Sequence, residues 1–191
     1  DRQALAWIKA AAENGFVPAQ KNLARFYKYG RAVEPDPSRA VWWFRRAAEQ
    51  GDPDAQYQLG WMYEEGKGVR QDYVQALRWY RKAAAEGDRS AQRALGTMYR
   101  DGKGVPKEAT KAFDWFHRSA QQDDPIAQAN LGVIYMNGWG VPKDEEEAFA
   151  WYLKSANQGH VAAQTRVGLM YERGDGVAKS SEKAAEGFRK A

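Results

Sequence analysis

The segment "AQYQLGWMYEEGKGVRQDYVQALRWYRKAAAEG", residues 55–87, contains two helical patterns joined by a short connection that carries two glycines. In its first part the apolar residues recur at spacings that place them on one side of a helix. These residues are Ala55, Leu59, Met62 and Tyr63. The second part repeats the pattern with Ala76, Trp79, Tyr80, Ala83 and Ala84. The intervening EGKGVRQ is too short for anything except a tight connection, so the segment predicts a helix-turn-helix unit.

The same pattern recurs every 36 residues along the chain, without an insertion. Its clearest marker is an Ala-Gln pair, whose alanines are Ala19, Ala55, Ala91, Ala127 and Ala163. A fixed period of this length is typical of proteins whose repeats bury their apolar faces on their neighbours. The predicted fold class is therefore all-α, a solenoid of 36-residue helix-turn-helix repeats.

The Gly-x-Gly pair in the connecting segment is a feature that phosphate-binding loops also have. Gly66 and Gly68 recur, however, at the same positions of the three repeats that follow. A phosphate loop is needed once per site, whereas a solenoid needs the same turn in every unit. We therefore interpret the glycines as turn residues, with Gly66 ending the first helix in the left-handed conformation. Ala32 replaces the second glycine of the first turn, which is predicted to have a different shape.

Aspartates stand where the predicted helices begin, and a carboxylate there can accept hydrogen bonds from free backbone N–H groups. The predicted capping residues are Asp52, Asp72, Asp88, Asp124 and Asp144. Glu108 and Ser180 replace the aspartate in two repeats. Asp123 stands where a glycine usually ends the second helix, and aspartate tolerates the left-handed region better than most residues do.

Together these residues form the pattern A-x-x-x-L-G-x-x-Y-x-x-G-x-G-V, followed by D-x-x-x-A-x-x-W-[YF]-x-K-A-A-x-x-G. The pattern resembles the Sel-1-like repeat, a branch of the tetratricopeptide superfamily, over essentially all 191 residues. This resemblance implies a right-handed superhelix of antiparallel helix pairs and a role as an adaptor in protein complexes. It does not imply a particular partner, since one fold serves many functions.

The repeat boundaries predict a single domain over residues 1–191. It comprises a half repeat at 1–15, full repeats at about 16–51, 52–87, 88–123 and 124–159, and a partial repeat at 160–191. Solenoids normally end in polar capping repeats, and neither end of this sequence resembles one. We expect either a fragment of a longer protein or a chain whose terminal repeats pack end to end on other subunits.

The resemblance also indicates where a partner would bind, because the first helix of each pair lines the concave groove in such superhelices. The apolar stripe of that helix is committed to packing, so a partner would meet the non-repeating residues between the stripe positions. The partner-binding residues predicted in this way are Lys21, Arg25, Lys28, Tyr29, Tyr57, Trp61, Glu64, Arg93, Arg100, Val133, Met136 and Leu169. In addition, Trp139 lies between the two glycines of its turn.

This set of residues predicts a groove with a basic, aromatic N-terminal half and a more apolar C-terminal half. Exposed aromatic residues, Met and Arg anchor protein interfaces, so the groove is predicted to hold an extended segment or a loop of another protein. An alternative is that Trp61 covers a neighbouring helix and the remaining residues are ordinary solvated surface. A further alternative is an inhibitor or immunity-type protein that blocks a partner enzyme.

The sequence predicts no catalytic residue, no cofactor and no metal site. It has no cysteine, and His117 and His160 lack the spacing of metal ligands, so each is predicted to be a surface or turn residue. A nucleic-acid partner is disfavoured because the net charge of +4 is mild and residues such as Glu64 and Asp101 interrupt any basic track. The apolar runs are too short to span a bilayer, so no membrane insertion is predicted.

Overall fold

The computed structural model describes residues 2–191, which form eleven α-helices and no β-strand. The helices are α1 (Arg2–Glu13), α2 (Val17–Tyr29), α3 (Pro37–Glu49), α4 (Pro53–Glu65), α5 (Tyr73–Ala85), α6 (Arg89–Asp101), α7 (Ala109–Ala120), α8 (Pro125–Asn137), α9 (Glu145–Asn157), α10 (Val161–Arg173) and α11 (Ser181–Lys190). The predicted fold class, an all-α array of helix-turn-helix repeats, is confirmed.

The described chain divides into two compact units, one ending at Ala91 and the other spanning Gln92–Ala191. In the first unit each helix from α1 to α4 packs on the helix that follows it. In the second unit the same is true of each helix from α7 to α10. The single domain over 1–191 stays a prediction, and its first residue lies outside the described residues.

The glycine of each Leu-Gly pair lets a second helix approach the backbone of the first helix closely. A Cβ atom on Gly60 would lie 2.7 Å from the ring of Tyr80, and one on Gly132 would lie 2.7 Å from the ring of Tyr152. Both rings belong to buried side chains. The absence of a side chain on the first helix therefore makes room for an aromatic ring of the second helix, which closes the core of the pair.

The turn glycines have the structural role predicted for them. Gly66 ends α4 with φ 65°, and its N–H donates to the carbonyl of Met62. Gly68 has φ 72°, and a Cβ there would lie 2.2 Å from the backbone of Pro37 at the start of α3. The prediction for the first turn is wrong, because Ala32 takes the same left-handed conformation with φ 60°. Alanine occupies that region at a cost of about 1–2 kcal/mol.

Most of the predicted capping residues accept backbone hydrogen bonds at the helix starts. These residues are Asp52, Asp72, Asp88, Asp124 and Asp144. Ser180 caps α11 in the same way, whereas the side chain of Glu108 makes no such bond at α7. Asp123 takes the left-handed conformation with φ 58°, as predicted.

The glutamine of the Ala-Gln pair is buried and joins consecutive second helices through hydrogen bonds. Gln20 Nε2 donates to the carbonyl of Ala12 near the end of α1, at 3.1 Å. Its Oε1 accepts from Nε2 of Gln50 at the end of α3, at 2.8 Å. Gln128 makes the equivalent pair of bonds in the second unit. The Ala-Gln marker of the sequence is therefore a hydrogen-bonded link that satisfies buried polar groups.

One of these links is incomplete in the first unit. Gln56 Nε2 donates to the carbonyl of Ala48 at 3.1 Å, but its buried Oε1 has no hydrogen-bond partner. The donor should come from position 86, which corresponds to Gln50 in the preceding repeat. That position is occupied by Glu86, and an ionised carboxylate has no proton to donate.

We predict that Glu86→Gln raises the free energy of unfolding by about 1 kcal/mol, because it supplies a donor to a buried, unsatisfied acceptor. Urea unfolding measured by circular dichroism provides the test. Glu86→Ala is the control, since it removes the same charge from the C-terminal end of α5 without adding a donor. Equal stabilities of the two variants would contradict the assignment.

We also predict that Gly68→Ala destabilises the fold much more than Gly87→Ala. Both glycines have positive φ, but nothing lies within 4 Å of a Cβ on Gly87, whereas one on Gly68 would overlap the backbone of Pro37. Gly87→Ala should cost about 1–2 kcal/mol of left-handed strain. Gly68→Ala should cost about 1–3 kcal/mol more through overpacking. Equal urea midpoints for the two variants would show that the close approach to Pro37 is unimportant.

Candidate functional site

The predicted partner-binding residues lie on the first helices of the repeats. Helix α2 carries Lys21, Arg25, Lys28 and Tyr29, and α4 carries Tyr57, Trp61 and Glu64. These seven residues belong to the first compact unit. In the second unit α6 carries Arg93 and Arg100, α8 carries Val133 and Met136, and α10 carries Leu169.

An aromatic–lysine cluster, formed by Lys28, Tyr29 and Trp61, lies on the α2 and α4 surface of the first unit. Lys28 Nζ lies 3.8 Å from the centroid of the half-buried Trp61 ring and 5.2 Å from that of Tyr29. It also donates to Oε1 of Gln58 at 2.9 Å. Tyr29 is 58% exposed. Lysine held over an aromatic face is a stabilising cation–π arrangement, and here it leaves an aromatic surface accessible.

The other two cations of α2 are paired with carboxylates of α4. Lys21 Nζ lies 3.0 Å from Asp52 and 3.3 Å from Asp54, and Arg25 lies 2.8 Å from Asp54. Partial burial lowers the pKa of Lys21, but the hydrogen bonds and charges of Asp52 and Asp54 outweigh it and raise the pKa above its usual value. The basic character predicted for this surface is therefore largely neutralised within the fold.

Glu64 and Tyr57 surround a tyrosine of the neighbouring helix. Tyr80 on α5 donates its hydroxyl hydrogen to Glu64 Oε2 at 2.8 Å, and the rings of Tyr57 and Tyr80 lie 5.7 Å apart. Burial, together with the charge of Glu64, raises the pKa of Tyr80 far above its usual range, so the hydroxyl stays protonated and continues to donate. Glu64 is therefore hydrogen-bonded to a side chain of the neighbouring helix and is not a free surface carboxylate.

The arginines of α6 are also engaged by other residues of the second unit. Arg93 Nε lies 3.1 Å from Asp124, the carboxylate that caps α8. Arg100 donates to both carboxylate oxygens of Asp101, at 2.7 and 3.1 Å, and to the side chain of Asn130 at 2.7 Å. Arg93 therefore stabilises the start of α8, the first helix of the next repeat, while Arg100 is held in a fixed orientation at the surface.

Arg100 and Val133 meet at a cavity of about 690 Å³ in the second unit. The cavity lies among the end of α6, the start of α7, the middle of α8 and the turn that follows α8. Its lining residues are Tyr99, Arg100, Asp101, Lys107, Ala109, Ala112, Asn130, Val133, Ile134 and Trp139. Trp139 is 47% exposed. The sequence analysis singled out Trp139 but not Lys107 or Asn130 beside it, since Lys107 lies in the preceding repeat and Asn130 is nine residues away on α8.

The apolar residues predicted for the second unit are partly committed to its core. Val133 and Met136 are half-buried and pack against a cluster around Tyr152 and Val167. Leu169 is also half-buried. Only part of each side chain is therefore available to a partner, and Val133 contributes to the lining of the cavity.

The two histidines have local structural roles. His160 precedes α10, and its Nδ1 accepts a hydrogen bond from the N–H of Ala163 at 3.3 Å, so the predicted turn position is correct. His117 is half-buried within α7, where its ring stacks on that of Phe113 at 5.6 Å and meets that of Trp151 edge-on at 6.1 Å. Residues 2–191 hold no group of three or more His, Cys, Asp or Glu side chains suited to a metal ion.

None of the helices described has both the length and the apolar character needed to cross a membrane.

Comparison with known proteins relates the chain to a repeat family. The Sel1 repeat family model matches residues 1–16, 17–52, 53–88, 89–124, 125–160 and 161–191. No curated protein sequence matches the chain significantly.

Several solved structures are similar to the chain. A protective antigen of uropathogenic Escherichia coli with the same fold is 36% identical, with a TM-score of 0.95 over 98% of this chain and 40% of that one. A Sel1 repeat protein of Oxalobacter formigenes is 33% identical, with a TM-score of 0.86 over 91% of this chain and 69% of that one. An immunity protein of Pseudomonas aeruginosa is 22% identical, with a TM-score of 0.63 over 98% of this chain and 72% of that one. The chain thus spans 40% of the length of the E. coli antigen.

We predict that Arg93→Ala destabilises the second unit, whereas Arg25→Ala has little effect on stability. Arg93 pairs with Asp124, whose side chain is only 8% exposed, while both members of the Arg25–Asp54 pair are at least 32% exposed. Loss of a hydrogen bond to a nearly buried charged group should cost about 1.5–3 kcal/mol. An exposed pair contributes about 0–1 kcal/mol. Urea unfolding of both variants tests this difference, and an equal loss would contradict a structural role for Arg93.

Proposed function

The chain belongs to the Sel1 repeat family, and from that premise we propose that it is a scaffold that binds another protein through its first helices. Sel1 repeats generally mediate protein–protein interaction. The proposal assigns the contact to side chains that the repeat itself does not need. In the first unit these are the residues of the aromatic–lysine cluster, and in the second unit they include Arg100 and Val133.

The observation that carries this proposal is the position of Trp61. The corresponding residues of the other repeats are Arg25, Thr97, Val133 and Leu169, so the fold forms without an aromatic residue there. Trp61 nevertheless stays half-exposed, with the ammonium group of Lys28 over its ring. A tryptophan beside a cation and an exposed tyrosine is typical of the residues that dominate binding energy at protein interfaces.

The ion pairs of the first helices weigh against a nucleic-acid partner. Lys21 and Arg25 are paired with carboxylates of α4, and in the second unit Arg93 and Arg100 are paired with Asp124 and Asp101. A protein that follows a phosphate backbone needs cations whose charge is not already compensated.

An inhibitor or immunity-type protein is a special case of the same binding activity. The likeness to the P. aeruginosa immunity protein, at 22% identity, extends to the fold alone. An inhibitor would abolish an enzymatic activity of the captured protein, whereas a scaffold would leave that activity in place. The same binding experiment, followed by an activity assay of the captured protein, separates the two functions.

We predict that Trp61→Thr weakens binding of a partner by about tenfold or more, which is typical of an interface tryptophan. The substitution places at position 61 the residue that the next repeat has at position 97, so the fold should accept it. The partner is first identified by affinity capture with the wild-type protein and mass spectrometry. Its dissociation constant is then measured for each variant by calorimetry.

Trp42→Ala is the matched control for this experiment. Trp42 is 50% exposed but lies on α3, a second helix, away from the first-helix surface. Its replacement should leave the dissociation constant unchanged. Loss of binding in Trp42→Ala but not in Trp61→Thr would overturn the proposed surface. A lower melting temperature of Trp61→Thr, with unchanged affinity, would show that Trp61 serves the fold instead.

A further inference from the structure

The cavity beside Trp139 differs from a simple gap between helices because it combines an apolar floor with a charged rim. Ala109, Ala112, Val133 and Ile134 supply the floor, and the half-exposed ring of Trp139 supplies one wall. Its volume of about 690 Å³ lies within the range of sites that bind small ligands or peptide side chains.

A recess also lies at the equivalent place of the next repeat, lined by Lys143, Glu145 and Val177, but the cavity beside Trp139 owes its apolar edge to two residues that depart from the repeat. Position 109 corresponds to Pro37, Tyr73, Glu145 and Ser181 in the other repeats, so alanine is the smallest residue found there. Position 139 corresponds to Arg31, Lys67, Lys103 and Asp175, so the aromatic ring occurs in this turn alone. Loss of a larger side chain from one edge and gain of an indole at another produce an apolar recess that the fold does not need.

The rim of the cavity has an excess of positive charge. Three of the five N–H groups of Arg100 donate hydrogen bonds to Asp101 and Asn130. The exposed Lys107 makes no hydrogen bond or ion pair with any described residue. A hydrogen bond from Arg100 lowers the pKa of Asp101, and although partial burial opposes this, the charges of Arg100, Lys103 and Lys107 lower it further. Asp101 therefore stays ionised, and the lining holds two cations, Arg100 and Lys107, beside this single carboxylate.

We propose that this cavity binds an apolar side chain followed by a carboxylate, presented by an extended segment of a partner protein. The apolar side chain packs against Val133, Ile134 and the Trp139 ring, and the carboxylate pairs with Lys107. The inference deepens the proposed function and rests on it for the choice of a protein as partner. It adds the chemistry of the recognised segment, which the first-helix surface alone does not specify.

A peptide suits this site better than a nucleic acid does. The floor is aliphatic, and apolar burial there is favourable for a side chain but not for a sugar-phosphate backbone. A single-stranded oligonucleotide could still stack a base on Trp139, so it serves as one arm of the test.

The test uses nuclear magnetic resonance of the 15N-labelled full chain with four short peptides, each acetylated and amidated. The first has the sequence Gly-Phe-Glu-Gly. In the second and third, Gln and Lys replace the Glu, and in the fourth, Gly replaces the Phe. The indole N–H signal of Trp139, assigned by its loss in Trp139→Phe, reports binding. A pentauridine oligonucleotide is titrated in parallel.

We expect saturable shifts of the Trp139 signal with Gly-Phe-Glu-Gly. Binding should be about threefold to fivefold weaker with the Gln peptide, as for the loss of one exposed ion pair. It should be at least tenfold weaker with the peptide that lacks Phe, since the buried apolar surface is lost. In Lys107→Glu the preference should reverse, so that the Lys peptide binds more tightly than the Glu peptide. Lys143→Glu, at the same position of the next repeat and outside the cavity, should keep the original preference.

The proposal is overturned if no peptide shifts the Trp139 signal, if all four shift it equally, or if the oligonucleotide alone does so. It is also overturned if Lys107→Glu and Lys143→Glu behave alike. These outcomes are separate from failure of the proposed function. Loss of partner binding in Trp61→Thr, with no effect of these peptides, would keep the scaffold function and remove only the assigned segment chemistry.

Discussion

The close contact between a small residue of the first helix, a glycine in every repeat except that of Ala24, and an aromatic ring of the second helix is the constraint on which the repeat depends. At Gly60 and Gly132 a single methyl group would overlap the ring of Tyr80 or Tyr152. The contact fixes how near the two helices lie, and it buries the rings of Tyr80 and Tyr152. Because this core uses the same positions in every repeat, the remaining positions of the first helix can vary without loss of the fold.

The hydrogen bonds between repeats impose a second constraint, which is easier to break. Gln20 and Gln128 each join a carbonyl near the end of one second helix to a glutamine at the end of the next. The link at Gln56 lacks its donor because Glu86 interrupts the pattern, yet the helices around it are formed normally. A single unsatisfied acceptor costs about 1–3 kcal/mol, which a well-packed repeat tolerates. Aromatic packing therefore stabilises each helix pair, and the glutamine hydrogen bonds add to the contact between one repeat and the next within a unit.

Periodicity was sufficient to predict the helices, the turns and most capping aspartates, since each depends on residues close together in sequence. The first turn was predicted wrongly because Ala32 adopts the left-handed conformation that glycine has in the other turns, despite a cost of about 1–2 kcal/mol. The glutamine links were missed because their partners lie 30 residues apart and belong to different repeats. The same separation hid the pairing of Lys21 with Asp52 and of Arg93 with Asp124, so the sequence suggested a more basic surface than the fold presents.

Recognition in such an array follows from the residues that depart from the repeat, but a departure matters only where it changes the surface. Position 93 is an arginine where the two preceding repeats have Lys21 and Tyr57. Arg93 nevertheless pairs with the carboxylate that caps α8, so it adds little accessible surface for a partner. Trp61 changes the surface of its unit because its ring remains accessible beside Lys28. Trp139 and Ala109 both line the cavity of the second unit, where the indole in the turn and the small residue on α7 make its edge apolar. Two repeats with the same backbone can therefore present different side chains to a partner, with no change in the packing that stabilises each repeat.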